Sequence, residues 1–171
     1  KVLIDPKGGN FDRYVDATLI TPNLREFEEI VGSSKNDVKF LEKAQILKDK
    51  LRLDSLIVTL GADGVLLIDE QNNSHKLSSE ARQVFDVSGA GDTVIAVLAA
   101  LIANGLSVKD GLKIANVAAG LAVGKMGTSI ITKHELDSYM RKQDALDRSI
   151  WTLDELLIEI DVMKINGKKI I

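Results

Sequence analysis

Asp86-Val87-Ser88-Gly89-Ala90-Gly91-Asp92-Thr93, with the Val-, Ile-, Leu- and Ala-rich run that continues to Ala103, is the stretch from which the fold can be read. Gln83 to Asp86 reads as the end of a strand and Gly89-Ala90-Gly91 as a tight turn poor in side chains. Thr93 to Ala103 reads as a helix apolar enough to be buried. A glycine-rich turn entering a helix leaves backbone N–H groups without intrahelical acceptors at the positive end of the helix dipole. Such an end attracts anions, phosphate above all. Asp92 falls inside this positive nest. An acid there suits a base that accepts the proton of an attacking hydroxyl while the Gly89, Ala90 and Gly91 amides hold the transferred phosphoryl group. The plainer alternative is that the helix dipole alone favours Asp in a first turn and that Gly-x-Gly turns are common.

The chain has 171 residues, 45% of them hydrophobic, enough for one sizeable core. A formal net charge of −3 without a basic stripe argues against a nucleic-acid surface. There is no cysteine, hence no disulfide framework, thiolate metal site or thiol nucleophile, as suits a reducing cytoplasm. The most apolar run, Val94 to Leu106, is broken by Asn104 and Gly105 and is too short to span a bilayer. The chain opens on Lys1-Val2-Leu3-Ile4-Asp5, which reads as a strand already under way. It closes on Gly167-Lys168-Lys169-Ile170-Ile171, which reads as a strand just beginning, so both ends look cut from something larger.

Outward from the signature, strands are expected at Val2 to Ile4, Ala17 to Thr21, Leu56 to Leu60, Val65 to Asp69 and His75 to Ser78. Helices are expected from Asn23 to Ile30, stopped by Gly32, and from Asp37 to about Leu51. The second should turn Val38, Leu41, Ala44, Leu47 and Leu51 to one face. A second apolar helix should run from Ser107 to Gly124, opened by a variant capping box at Ser107-Val108-Lys109-Asp110. Thr132-Lys133-His134-Glu135 is a cleaner box, opening a helix to about Met140. Ala145 to Ser149 reads as a linker and Trp151 to Met163 as an amphipathic helix anchored by Trp151. This alternation defines an α/β layered sheet with helices on both faces and a β-meander before the signature.

Other residues carry chemistry less sharply. Asn23 and Glu26 have the spacing of an N-cap and its third helical residue, which needs no ligand. An amide and a carboxylate together also suit a hard cation that retains waters. Val58-Thr59-Leu60-Gly61-Ala62-Asp63-Gly64 ends a central strand in glycine, where sheets of this class bind ligands, though a hairpin turn would look the same. Asn116 is a polar residue in a helix of small apolar ones and is costly there unless it bonds something. Lys7, following Asp5-Pro6, could reach a phosphate, although a lone lysine more often reads as a solvated charge; His75 and His134 read as surface residues without metal-ligand spacing.

The signature resembles that of the ribokinase-type carbohydrate kinases, Asp-Thr-x-Gly-Ala-Gly-Asp, with Val87 in place of the common Thr. That resemblance implies a ribokinase-like fold lacking its N-terminal portion, with residues 1–144 the C-terminal part of a kinase domain and 145–171 a linker helix leading to a further domain. It implies ATP and magnesium as cofactors. Asn23 and Glu26 would organise magnesium through water, Thr59, Gly61 and Gly64 would contact ATP, and Asn116 would lie beside the adenine. Asp86 would be the candidate for a monovalent cation such as potassium. Within the family, the segments Asp5 to Gly8, Tyr14, Ala17 to Glu28, Asp86 to Thr93 and Ala115 to Thr128 are similar to the kinase domains of ADP-heptose synthesis in bacteria. There the substrate is D-glycero-β-D-manno-heptose 7-phosphate, phosphorylated at O1. The resemblance further implies a cytoplasmic homodimer through the longer parent protein, with a sugar phosphate and ATP as partners and neither nucleic acid nor membrane. A kinase for another sugar, such as fructose phosphate or ribose, and a non-catalytic nucleotide-binding fragment remain open.

Overall fold

The structure is a computed structural model that describes residues 1–33, 36–80, 87, 89–125, 130–147, 157 and 160. In these residues five strands form one sheet: β1 (Leu3–Ile4), β2 (Leu19–Ile20), β3 (Ser55–Thr59), β4 (Val65–Ile68) and β5 (Ser74–Leu77). They lie side by side in chain order. β1, β2 and β3 are parallel; β4 and β5 are antiparallel, the expected meander. Both N-terminal strands are shorter than their apolar runs, because only Leu3–Ile4 and Leu19–Ile20 pair along the ladder. Thr18 instead caps the edge of β1, accepting the Val2 amide on its hydroxyl at 2.9 Å.

β1 to β4 alternate their side chains between two separate cores, as the pleat requires. Leu56 and Val58 of β3, with Leu66 and Ile68 of β4, pack with Phe27, Ala44 and Leu47 on one face. Ile57, Val65 and Leu67 pack on the other with Val94, Leu98, Ile102, Leu112 and Ala115. The first face is covered by α1 (Leu24–Val31) and α2 (Asp37–Lys50), the second by α3 (Ala90–Ala103) and α4 (Val108–Val123). Small residues on α4 let α3 approach closely: a Cβ on Gly111 would meet Leu98 Cδ1 at 3.0 Å. This is the layered sheet the sequence implied.

Some local expectations need correction. Val38 is 62% exposed rather than inward-facing. It lies in the first turn of α2, and Phe40 takes the inward place, its ring 4.9 Å from that of Phe27. α3 begins at Ala90, ahead of the expected Thr93, because Gly89 adopts φ 80° and lets the chain enter the helix directly. At Ser107 the box is one-sided. Its hydroxyl accepts the Asp110 amide at 3.1 Å but donates to the Asp110 carboxylate at 2.8 Å, so the acid caps the serine side chain rather than its backbone.

Residues 1–131 form one compact unit, and residues from Thr132 onward form another. In the second, α5 (Lys133–Asp147) opens with the full box predicted at Thr132 and Glu135. It runs past Ala145, where a linker was expected to begin. Gln83 to Asp86, Trp151 and most of the expected last helix lie outside the described residues.

Candidate active site

The carboxyl ends of β1, β2 and β3 and the N-terminus of α3 open onto one cavity of about 760 Å3. That volume is typical of sites for small molecules and cofactors. Its walls bring together nearly all the residues singled out above: Asn23 and Glu26; Thr59, Gly61 and Gly64; Gly89, Ala90, Gly91 and Asp92; and Asn116. Asp86, the candidate for a monovalent cation, lies outside the described residues.

At the α3 end, the helical ladder starts with the Thr93 amide donating to the Gly89 carbonyl at 2.9 Å. The Thr93 hydroxyl donates to the same oxygen at 2.8 Å. The Gly91 and Asp92 amides precede that first bond and have no helical acceptor, so they remain free to meet an anion. Ala90 differs from expectation: its amide donates to the Val87 carbonyl at 3.3 Å, a long bond that draws it away from the nest. Asp92 is exposed on the cavity wall, open to a substrate hydroxyl.

Both readings of Asn23 and Glu26 meet in one arrangement. The Asn23 side chain accepts the Glu26 amide at 2.9 Å, and Glu26 Oε2 accepts the Asn23 amide at 2.8 Å, a reciprocal capping box. The same box directs Glu26 Oε1 to the cavity, where Lys7 Nζ lies 3.3 Å away. Lys7 also pairs with Asp5 at 3.0 Å. The Asp5 hydrogen bond holds the Lys7 ammonium above its ordinary range. Lys7 is thus exposed, as its sequence context suggested, but it is engaged by two carboxylates. Among the described residues no cluster of three or more acidic or histidine side chains could hold a metal by itself. The donor set therefore fits a hard cation that keeps waters and shares its remaining positions with a ligand's phosphates, and does not fit a closed protein cage.

The Thr59 end of β3 sits beside Asn23 through a parallel bridge, and the Thr59 amide donates to the Pro22 carbonyl at 3.0 Å. Asn116 is 7% exposed, and its Nδ2 donates to the Ser78 carbonyl at 2.8 Å. It joins α4 to the residue after β5, and Asn116 is part of the cavity wall. Sequence reasoning passed over Asp5, Thr21 and Arg25, which also line the cavity. An acid directly after the Leu3–Ile4 strand was the available signal for Asp5. Outside the cavity lining, His75 is half-buried rather than a free surface residue, its Nε2 2.8 Å from Asp69 Oδ2 across the β4–β5 turn.

The profile of the pfkB family carbohydrate kinases matches residues 1–135, and the chain belongs to that family. The bifunctional protein HldE of Ectopseudomonas mendocina is 44% identical over 170 residues, which is 99% of this chain and 36% of that protein. The chain thus spans about a third of the length of the curated relatives it matches. Among solved structures, Arabidopsis thaliana ribokinase complexed with ribose and ATP is 26% identical with a TM-score of 0.71, covering 80% of this chain and 46% of that one. Escherichia coli phosphofructokinase-2 in complex with potassium shares the fold, with a TM-score of 0.71 at 18% identity over 80% of this chain and 45% of that one. No helix among the described residues is long and apolar enough to cross a membrane.

Proposed function

We propose that this chain is the nucleotide-binding and catalytic part of an ATP-dependent sugar kinase acting on D-glycero-β-D-manno-heptose 7-phosphate. The observation that carries the reading is the single cavity in which Asp92 and the open amides of α3 share walls with Asn23, Glu26 and the Thr59–Gly64 segment. The likeness to HldE over nearly the whole chain supports the choice of sugar. Asp92 accepts the proton of the anomeric 1-hydroxyl as its oxygen bonds to phosphorus and the bond to the departing ADP breaks. The Gly91 and Asp92 amides, with that of Gly89, meet the charge that develops on the phosphoryl oxygens, where preorganised donors act most strongly. Thr59 and Gly61 line the nucleotide's path, and Asn116 lies beside the base. Glu26, oriented by Asn23, would hold a magnesium ion through its waters, and that ion would supply charge neutralisation at the nucleotide phosphates.

The test is Asp92→Asn in the intact protein, which keeps the shape of the site and removes the base. Turnover is expected to fall by roughly a hundredfold or more with ATP affinity little changed. Near-normal turnover refutes the assignment. Ribokinase and phosphofructokinase-2 share the fold, so the unmutated protein is compared on heptose 7-phosphate, fructose phosphate and ribose. Preference for either of the last two moves the substrate while leaving the kinase reading in place.

A further inference from the structure

Lys7 is held in an unusual way. Its backbone is pinned on both sides by a buried tyrosine. The Lys7 amide donates to the Tyr14 hydroxyl at 3.0 Å, and that hydroxyl donates to the Lys7 carbonyl at 3.2 Å. Arg13 Nη2 donates to the same carbonyl at 3.3 Å and to the Tyr14 hydroxyl, so the clamp is doubled. The Tyr14 ring is itself seated edge-on against Phe11, 5.8 Å between centroids. From this fixed base the Lys7 side chain, 67% exposed, reaches over the cavity rim to Glu26, whose side chain is 16% exposed. A carboxylate so withdrawn from water needs a counter-charge. Its other oxygen is already committed to the Asn23 amide, so Lys7 occupies the oxygen that a cation's water shell would use.

Resting on the kinase reading above, we propose that Lys7 is a phosphate-binding residue that exchanges partners. Its ammonium neutralises Glu26 while no nucleotide is present, and it moves onto the nucleotide's polyphosphate when a divalent cation takes over the Glu26 oxygen. The two cations cannot share that oxygen without like-charge repulsion. The pinned backbone keeps the freed ammonium at the wall of the cavity that the α3 amides also line. Lys7 therefore keeps the site electrically balanced before loading and adds a charge-assisted contact after it.

The proposal is tested by binding rather than turnover, on unmutated protein, Lys7→Met and Lys7→Arg. ATP is titrated calorimetrically in the presence of Mg2+, and Mn2+ alone is titrated by electron paramagnetic resonance. Lys7→Met is expected to weaken ATP binding in Mg2+ by roughly tenfold or more and to strengthen Mn2+ binding several-fold, because Glu26 and Asp5 lose their resident cation. Lys7→Arg, which keeps the charge, is expected to bind ATP nearly as the unmutated protein does. Undiminished ATP binding by Lys7→Met, or Mn2+ binding that is unchanged or weaker, overturns the exchange. If the unmutated protein binds no ATP, the nucleotide reading falls with it. If it does bind ATP and Lys7→Met matches it, only the role of Lys7 falls. Equal melting temperatures establish that the exposed substitution has not unfolded the site.

Discussion

Gly64 and Leu77 are so close that a Cβ on the glycine would lie 1.9 Å from the Leu77 carbonyl oxygen. The Ser78 carbon and Ser79 nitrogen would be only 2.7 and 2.8 Å from it, and all three are backbone atoms that cannot swing aside. Gly64 also has φ 89°, which other residues adopt only under strain. Gly64→Ala must therefore part β4 from β5, and a loss of about 3 kcal/mol or more is expected. Urea unfolding checks this, and an unchanged midpoint would contradict the geometry. The same contact explains this glycine by packing, whatever it also does for a nucleotide.

The Asn23–Glu26 box allows its two roles to be separated. Asn23→Ala removes the acceptor for the Glu26 amide and is expected to cost about 1 kcal/mol. Glu26→Gln keeps an acceptor for the Asn23 amide, since glutamine serves in this position of a capping box. Its melting temperature should stay close to that of the unmutated protein while the gain in ATP affinity on adding magnesium shrinks. A Glu26→Gln protein as unstable as Asn23→Ala, with its magnesium response intact, would leave the box a purely structural feature.

Asp69 sets an acid limit on the β4–β5 turn. Burial raises its carboxyl, but hydrogen bonds from His75, from the Asn73 amide and side chain and from the Gln71 amide outweigh it and hold the carboxyl down at about 2. A depressed pKa contributes stability that is present above the unfolded value, near 3.8, and is lost as pH falls toward the folded one. Stability measured by urea titration should thus drop between about pH 4 and pH 2, by on the order of 1–2 kcal/mol from this group. Asp69→Asn should flatten that part of the curve. A slope equal to that of the unmutated protein would show that other carboxylates dominate acid unfolding.

The layered α/β architecture was legible because long apolar runs and glycine breaks mark strands and helices, although only Leu56 to Val58 is buried throughout while Val94 to Ile102 buries the single stripe Val94, Leu98 and Ile102. Most of the cavity residues were legible because they stand at a strand end or a helix start, where backbone groups lack partners; Asn116, in the middle of α4, was legible as a polar residue among small apolar ones. Val38 was misjudged because helical spacing cannot say that the first turn of α2 overhangs the sheet while Phe40 reaches Phe27. Lys48 shows the opposite limit. It is 5% exposed, and its Nζ donates to Asn72 Oδ1 at 3.0 Å, fastening the β4–β5 turn to α2. Nothing in a local window marks a lysine whose partner lies 24 residues away. The pairing of His75 with Asp69 was not legible for a related reason, since only the hairpin folds one against the other.

The bridge between Asn23 and Thr59 has a consequence for how such a site can change. The Asn23–Glu26 box and the Thr59–Gly64 segment begin on adjacent strands, so their separation is the hydrogen-bonded spacing of a sheet, about 4.8 Å. No side chain sets that interval. Substitutions among the cavity side chains can alter what the walls present. The distance between the Asn23 and Thr59 backbones stays constant through such changes, as a hinge pin stays in place when the doors hung on it are exchanged.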